Sequence, residues 1–329
     1  MTTSTPQHIP VMLKTTYELL APALTSSSSV FLDCTLGLGG HSEYFLLNLP
    51  ELKVIGIDRD SRAIQFSRNR LGKFSHRFTA HHAQYSELDA VLEAESARPD
   101  AILFDFGVSS MQLDDKERGF SYTKDAPLDM RMDQTTGETT LELIRRLSVN
   151  ELTSVIRENS GERYAFRIAK KIKAGDPTTT GELASTVRMA LPNSARKDAL
   201  SSIKRTFQAL RMQVNGEMEQ ITRGLEKAIL ALKTGGRILV LSFHSGEDTV
   251  TKNMFKRGTE EFIDLKYKQL GFPFNPADAK KPYLKVIVNG KGASDDEVLE
   301  NSRAKSVRLR CVEKREHLMN ARCFEFGIR

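Results

Sequence analysis

The chain has 329 residues, 40% apolar and 27% charged, with 48 Lys and Arg against 42 Asp and Glu and a formal net charge of +6. That is length enough for one large domain or two modest ones in an ordinary soluble composition. No apolar run approaches the ~18 residues of a membrane span. Met1–His8 is polar, with neither a basic and then apolar leader nor an Arg-rich transit pattern. The three cysteines, Cys34, Cys311 and Cys323, fit no metal or disulfide spacing, so a reducing compartment and no metal site are expected.

In chain order, Val30–Leu36 is a short apolar run ending in a Gly-rich turn, and Ser42–Asn48 begins a helix. Lys53–Asp58 predicts a second strand and Ser61–Leu71 a helix; Arg77–His81 a third strand and Ser86–Ala94 a helix; Asp100–Asp105 a fourth strand, apolar enough for burial on both faces. Strands alternating with helices predict a parallel sheet covered on both sides. Ser109–Asp133 is polar and aperiodic and reads as a long loop. Helical patterns follow at Thr140–Leu147, Val149–Asn159 (Ser148 as N-cap with Glu151 three residues on), Glu162–Ala174 and Thr180–Leu191. One more helix spans about Thr206–Lys233 and ends at Gly235-Gly236. Strands return at Arg237–Phe243 and Val307–Val312, and Gly290–Asp296 reads as a flexible loop. The expected fold is therefore α/β, with residues 1–112 and 206–329 forming one sheet domain and an all-helical domain, 113–205, inserted into it.

Chemistry concentrates at strand ends. In Asp33-Cys34-Thr35-Leu36-Gly37-Leu38-Gly39-Gly40-His41 the glycines let the backbone approach a ligand, and a helix N-terminus presents free N–H groups. Such turns occur in nicotinamide-binding and in S-adenosylmethionine (SAM)-binding sheets. An acid at the end of the first strand, Asp33, suits the cationic amino-acid end of SAM, and the regular G-x-G-x-x-G spacing is missing. Thr35 stands where the acid-x-Gly-x-Gly-x-Gly pattern has its first Gly. Eighteen residues after Gly40, Asp58 ends the second strand, where an acid accepts hydrogen bonds from adenosine ribose hydroxyls or simply enters a helix. Asp60 reads as a helix cap. Tyr85 either lines an adenine pocket or packs in the core. Asp105 ends the fourth strand, where parallel sheets place ligands.

Longer motifs carry a resemblance. His8-Ile9-Pro10-Val11, the Asp33–Ser42 turn, Asp105–Ser110 with Gln112-Leu113-Asp114, Glu117–Ser121, Pro127–Asp133, Arg205–Arg211 and Ser242-Phe243-His244-Ser245 occur in order. On them the chain resembles the MraW/RsmH family of small-subunit ribosomal RNA cytidine N4-methyltransferases, over about His8 to Lys314. The resemblance implies a Rossmann-like, class I SAM-dependent methyltransferase fold with a helical insertion. It implies methylation of the exocyclic N4 of a cytidine in the decoding region of 16S-type rRNA, with the small ribosomal subunit as partner. Carried over position by position, the SAM contacts are Gly39, Gly40, His41, Asp58, Tyr85, Asp105 and Gln112, beside Asp33 and Gly37 from the turn itself. Departures fall at Ser201-Ser202-Ile203-Lys204, Gly246-Glu247-Asp248-Thr249 and Ala126, in segments expected to face RNA.

Asp105 is the candidate acceptor for an amino N–H during transfer. Phe106, Phe120, Tyr122 and Phe243 are candidate stacking surfaces for a flipped-out base. Arg163, Arg167, Lys170 and Lys171 share a helix face, and with the basic stretch Asn301–Arg315 they are expected to meet rRNA phosphates. Two other readings stay open: a SAM- and RNA-binding ribosome-assembly factor without catalysis, and a nicotinamide-dependent oxidoreductase, against which Asp33 and the irregular glycine spacing argue. Location is expected to be cytoplasmic, with a mitochondrial matrix as the alternative, with no membrane association. A homodimer is left open.

Overall fold

The computed structural model describes residues 10–260 and 281–315; the Met1–His8 segment, Ile9 of the first motif and Cys323 lie outside the described residues. Helix α1 (Leu13–Leu20) leads into β1 (Val30–Asp33), α2 (Gly40–Asn48), β2 (Lys53–Asp58), α3 (Ser61–Arg70), β3 (Phe78–His82), α4 (Leu88–Ala94) and β4 (Ala101–Asp105). Helices α5 (Ser110–Asp114), α6 (Thr140–Arg146), α7 (Val149–Ser160), α8 (Ala165–Gly175), α9 (Thr180–Ala190), α10 (Ala199–Val214) and α11 (Glu217–Ala231) follow. The chain then forms β5 (Arg237–Ser242), α12 (Ser245–Thr259), β6 (Leu284–Lys291), α13 (Asp295–Glu300) and β7 (Arg308–Lys314).

Two compact units result, one from residues 10–107 with 220–260 and 281–315, the other Val108–Glu219. In the first, seven strands form one sheet in the order β3-β2-β1-β4-β5-β7-β6. Strands β1 to β5 pair in parallel, and β7 runs antiparallel to both β5 and β6. Alternation along each strand sends Phe31, Val54, Leu103, Leu239 and Cys311 into one apolar cluster. Their neighbours Leu32, Ile55, Ile102, Val240 and Val312 are equally buried on the opposite face. Burial on both faces is what a parallel sheet covered by helices requires.

The helical unit has its own core, in which Leu152, Ile156, Ile168, Ile172, Leu183, Val187, Phe207 and Leu210 meet. Its boundaries differ from 113 and 205. The segment 206–219 sits with the helices because Phe207 and Leu210 are part of that core and Asn215 is tied to it. The Asn215 side chain accepts the Met132 N–H and donates to the Met130 carbonyl, both at 2.8 Å. The single helix expected over Thr206–Lys233 is two helices: the chain breaks after Val214, and Gly216 takes φ +58°. The expected loop Ser109–Asp133 carries α5 and is pinned by Arg118, buried with its guanidinium donating to the Arg131 and Met132 carbonyls at 3.0 and 2.8 Å. The expected loop Gly290–Asp296 is irregular at 292–294 only; it begins on the last two residues of β6 and ends on the first two of α13. No helix among the described residues is long and apolar enough to cross a membrane.

Candidate active site

Strand order reverses between β1 and β4, and the carboxyl ends of strands at such a switch point hold ligands. Asp33 closes β1 and Asp105 closes β4. Asp33 is buried; it accepts the Ser42 hydroxyl at 2.7 Å and the Thr35 N–H at 3.2 Å. Burial pushes its carboxyl above the ordinary value, against the opposing influence of His41 and of these hydrogen bonds. Thr35 has a task that glycine lacks: its hydroxyl accepts the Asp105 N–H at 2.7 Å and so ties the turn to the end of β4.

Gly37 and Gly39 adopt φ of +50° and +74°, a region that favours glycine. Gly39 is the N-cap of α2, and no described side chain caps that helix, so its first-turn N–H groups are available to a ligand. A Cβ on Gly40 would stand 2.5 Å from Pro10 Cγ, so only glycine fits between the turn and the chain preceding α1.

His41 is buried, with Nε2 3.7 Å from Asp105 Oδ2, too long for a hydrogen bond. Among the described residues, neither ring nitrogen of His41 nor Oδ1 of Asp105 has a hydrogen-bond partner. Buried polar atoms are ordinarily bonded, so these three atoms beside the Gly turn fit a polar, partly cationic ligand.

Asp58, at the end of β2, accepts the Gly37 N–H on Oδ2 at 2.7 Å and the Asp60 N–H on Oδ1 at 2.8 Å. Burial raises its carboxyl to about 6. Asp60 caps α3, accepting the Arg62 N–H at 3.1 Å. Tyr85 is half-buried, edge-on to Phe104 with centroids 5.7 Å apart and 5.9 Å from Phe106. Its ring also backs onto Gly224 of α11, where a Cβ would come within 2.7 Å.

The turn, Asp33, His41, Asp58, Tyr85 and Asp105 all belong to the sheet unit. Gln112 belongs to the helical unit, where its Oε1 accepts the Ser109 N–H at 3.0 Å and its own N–H donates to Ser109 Oγ at 3.2 Å, forming a capping box for α5. Of the candidate stacking rings, Phe106 and Phe120 are buried, and Tyr122 lies edge-on to Phe207 at 5.8 Å. One departure segment, Gly246–Thr249, is occupied by internal bonds. Glu247 accepts the Phe243 N–H at 2.7 Å and caps α12 with His244, and Asp248 pairs with Arg310 at 2.8 and 2.9 Å. The His244-x-x-Glu247 box was a legible signal that sequence reasoning missed.

The basic stretch Asn301–Arg315 divides. Arg303, Lys305, Arg308 and Arg315 are exposed. Arg310 and Lys314 are buried and engaged internally, Arg310 by Asp248 and Lys314 by three carbonyls. These two are corrected from phosphate contacts to structural residues.

A doubly wound sheet with one reversed strand, an acid at the end of β1 and an uncapped Gly turn defines the class I, SAM-dependent methyltransferases. The MraW methylase family matches the chain over residues 5–315. A ribosomal RNA small subunit methyltransferase H from Streptomyces avermitilis is 42% identical over 314 residues, covering 94% of this chain and 97% of its own. The protein of that name from Beutenbergia cavernae is 44% identical over 313 residues, covering 93% and 92%. Among solved structures, an rRNA methylase from Streptococcus thermophilus covers 96% of this chain and 100% of its own at a TM-score of 0.41 and 11% identity. The chain belongs to the MraW methylase family; it is a methyltransferase, and SAM is its methyl donor.

Proposed function

We propose that the enzyme methylates the exocyclic N4 of a cytidine in the decoding region of small-subunit, 16S-type rRNA, acting in the cytoplasm. The observation that carries this reading is the set of unpartnered polar atoms on His41 and Asp105 beside buried Asp33. SAM bound there supplies an electrophilic sulfonium methyl group. Asp33 would hold its cationic amino-acid end, with the Gly37–His41 backbone, Asp58 for the ribose and Tyr85 for the adenine as the other residues that would bind it. A cytosine amino nitrogen shares its lone pair with the ring. Asp105 accepts an N–H from it, which localises the lone pair and gives the proton a destination; positioning does the rest. The relatives named as small-subunit methyltransferases support the RNA substrate.

The test is mass spectrometry of nucleosides after incubating unmodified small subunits with the enzyme and isotopically labelled SAM. Labelled N4-methylcytidine is expected; its absence, or label on another atom, overturns the assignment.

Burial holds the Asp58 carboxyl at about 6, with Asp60 and Asp33 as its charged neighbours. The folded value lies above the ordinary carboxylate value, so folding is favoured by protonation of Asp58. That contribution is lost as pH rises from about 4 through about 6. Ribose binding needs the ionised form and so runs the other way. SAM affinity is expected to rise up to about tenfold per pH unit below 6 and to level off above it. Calorimetric titrations across pH 5 to 8 check this, and a flat profile removes Asp58 from the ribose.

Arg163, just before α8, and Arg167, Lys170 and Lys171 on α8 are exposed, and we assign them to rRNA phosphates. The double variant Arg167→Glu, Lys171→Glu is expected to weaken subunit binding and flatten its salt dependence. An unchanged slope counts against the assignment.

A further inference from the structure

Large apolar side chains left exposed among the described residues of the helical unit are Phe166, Met189 and Leu200, at 49%, 56% and 51%. Each lies off the buried stripe of its helix. On α8 the stripe is Ala165, Ile168, Ala169 and Ile172; on α9 it is Leu183, Val187 and Ala190; on α10 it is Ala199, Ile203, Phe207 and Leu210. Core packing therefore accounts for none of the three.

Each is also set among cations. Phe166 lies three residues after Arg163 and four before Lys170, Met189 follows Arg188, and Leu200 has Arg196, Lys197 and Lys204 three and four residues away, all exposed. No acid occurs on α8. Glu162, just before it, is buried against Arg205 at 2.7 Å.

Two hydrogen bonds hold the three segments together. Arg167 Nε donates to the Ala190 carbonyl at 3.0 Å, which fixes α8 beside the end of α9 that carries Met189. Arg205 Nε donates to Glu162 Oε2, which fixes the first half of α10 beside the start of α8.

We infer that this face binds the unpaired bases of a single-stranded RNA segment, Phe166 as the stacking ring and Met189 and Leu200 as apolar rests, with the surrounding Arg and Lys on the phosphates. The inference deepens the rRNA reading and rests on it. Charge decides the occupant: a face whose apolar groups have mostly cations around them, with Asp198 beside Leu200 as the exposed acid, suits a polyanion with flat apolar surfaces, and stacking tolerates any base. A duplex buries the faces of its bases and offers phosphates, 2′-hydroxyls and base edges but no surface for stacking.

The experiment compares three probes on the full-length protein: a short single-stranded RNA of mixed sequence, its abasic ribose-phosphate counterpart of equal charge, and the duplex. Wild type is expected to bind the single strand at least tenfold more tightly than the abasic chain. Phe166→Ala is expected to cut single-strand affinity roughly tenfold, to leave abasic and duplex binding unchanged, and to leave the salt slope unchanged; Phe166→Tyr restores affinity. Phe166 is half in solvent, so thermal unfolding of the Ala variant should match wild type.

Equal affinity for the single strand and the abasic chain overturns the inference, as does an Ala variant with undiminished affinity. A change in sedimentation of the Ala variant also overturns it, since a second copy of the chain would then occupy the face. Methyl transfer to small subunits, measured in parallel, reports on the substrate assignment separately. Its absence with base-dependent binding intact fails that assignment alone; its presence with base-independent binding fails only the stacking face.

Discussion

Replacing Asp105 by Asn is expected to lower the rate of methyl transfer about a hundred- to ten-thousand-fold, the range for loss of a positioned proton acceptor. Little structural damage should accompany it. The link from the end of β4 to the Gly turn is the Asp105 backbone N–H bonded to Thr35 Oγ1, and it survives the substitution. The 3.7 Å approach of Oδ2 to His41 is not a hydrogen bond, and Oδ1 has no partner among the described residues to lose. An amide keeps one acceptor oxygen but is no base. Single-turnover transfer and calorimetric SAM binding, measured on one preparation, separate the possible roles. A large loss of rate with SAM affinity within a few-fold of wild type places Asp105 on the amino group. Equal losses in both place it on the donor alone. Full activity with normal SAM binding removes it from the site.

Much of the sheet is readable because parallel strands buried on both faces leave compact apolar runs between helix signals. Lys53–Asp58 matches its strand residue for residue, and Val30–Leu36 and Asp100–Asp105 overlap theirs closely. β6 escapes that logic. It is an edge strand whose residues are mostly exposed or half-exposed, and its Gly290 sits at φ +80°, so its end looks like a loop. The α10–α11 boundary escapes for the opposite reason: both helices are strongly amphipathic, and one Asn-Gly step is a small interruption of a long pattern. At the site, acids at strand ends announce themselves. That His41 and Asp105 come within 3.7 Å depends on β1 and β4 being neighbours, which only the strand order provides. Thr35 looked like a departure from a glycine pattern; its reason is a hydrogen bond across that same pair of strands. Phe166 was hidden because a phenylalanine in an amphipathic helix is ordinarily core, and only the phase of α8 reveals that it points outward.

Lys314→Met is expected to destabilise the sheet unit by about 3 kcal/mol while leaving RNA binding untouched. In composition Lys314 is one of a basic cluster. In the fold it is buried, and its ammonium donates to the carbonyls of Ile229, Leu230 and Leu232 at 2.8, 3.0 and 2.7 Å. Those carbonyls are the unsatisfied end of α11, where a cation also meets the negative end of the helix dipole. The charge is held in a costly place: burial lowers the Lys314 ammonium to about 8, with Arg98 adding to the effect. Methionine fills the stem's volume but leaves two buried acceptors and one partly buried one unmet, and the buried ones carry their desolvation penalty. Denaturant unfolding measures the loss, and the salt slope of small-subunit binding measures charge at the RNA. A variant of wild-type stability with a shallower salt slope would return Lys314 to the phosphate-binding set. A destabilised variant with an unchanged slope shows that net charge along the sequence and charge available to a partner are different quantities in this chain.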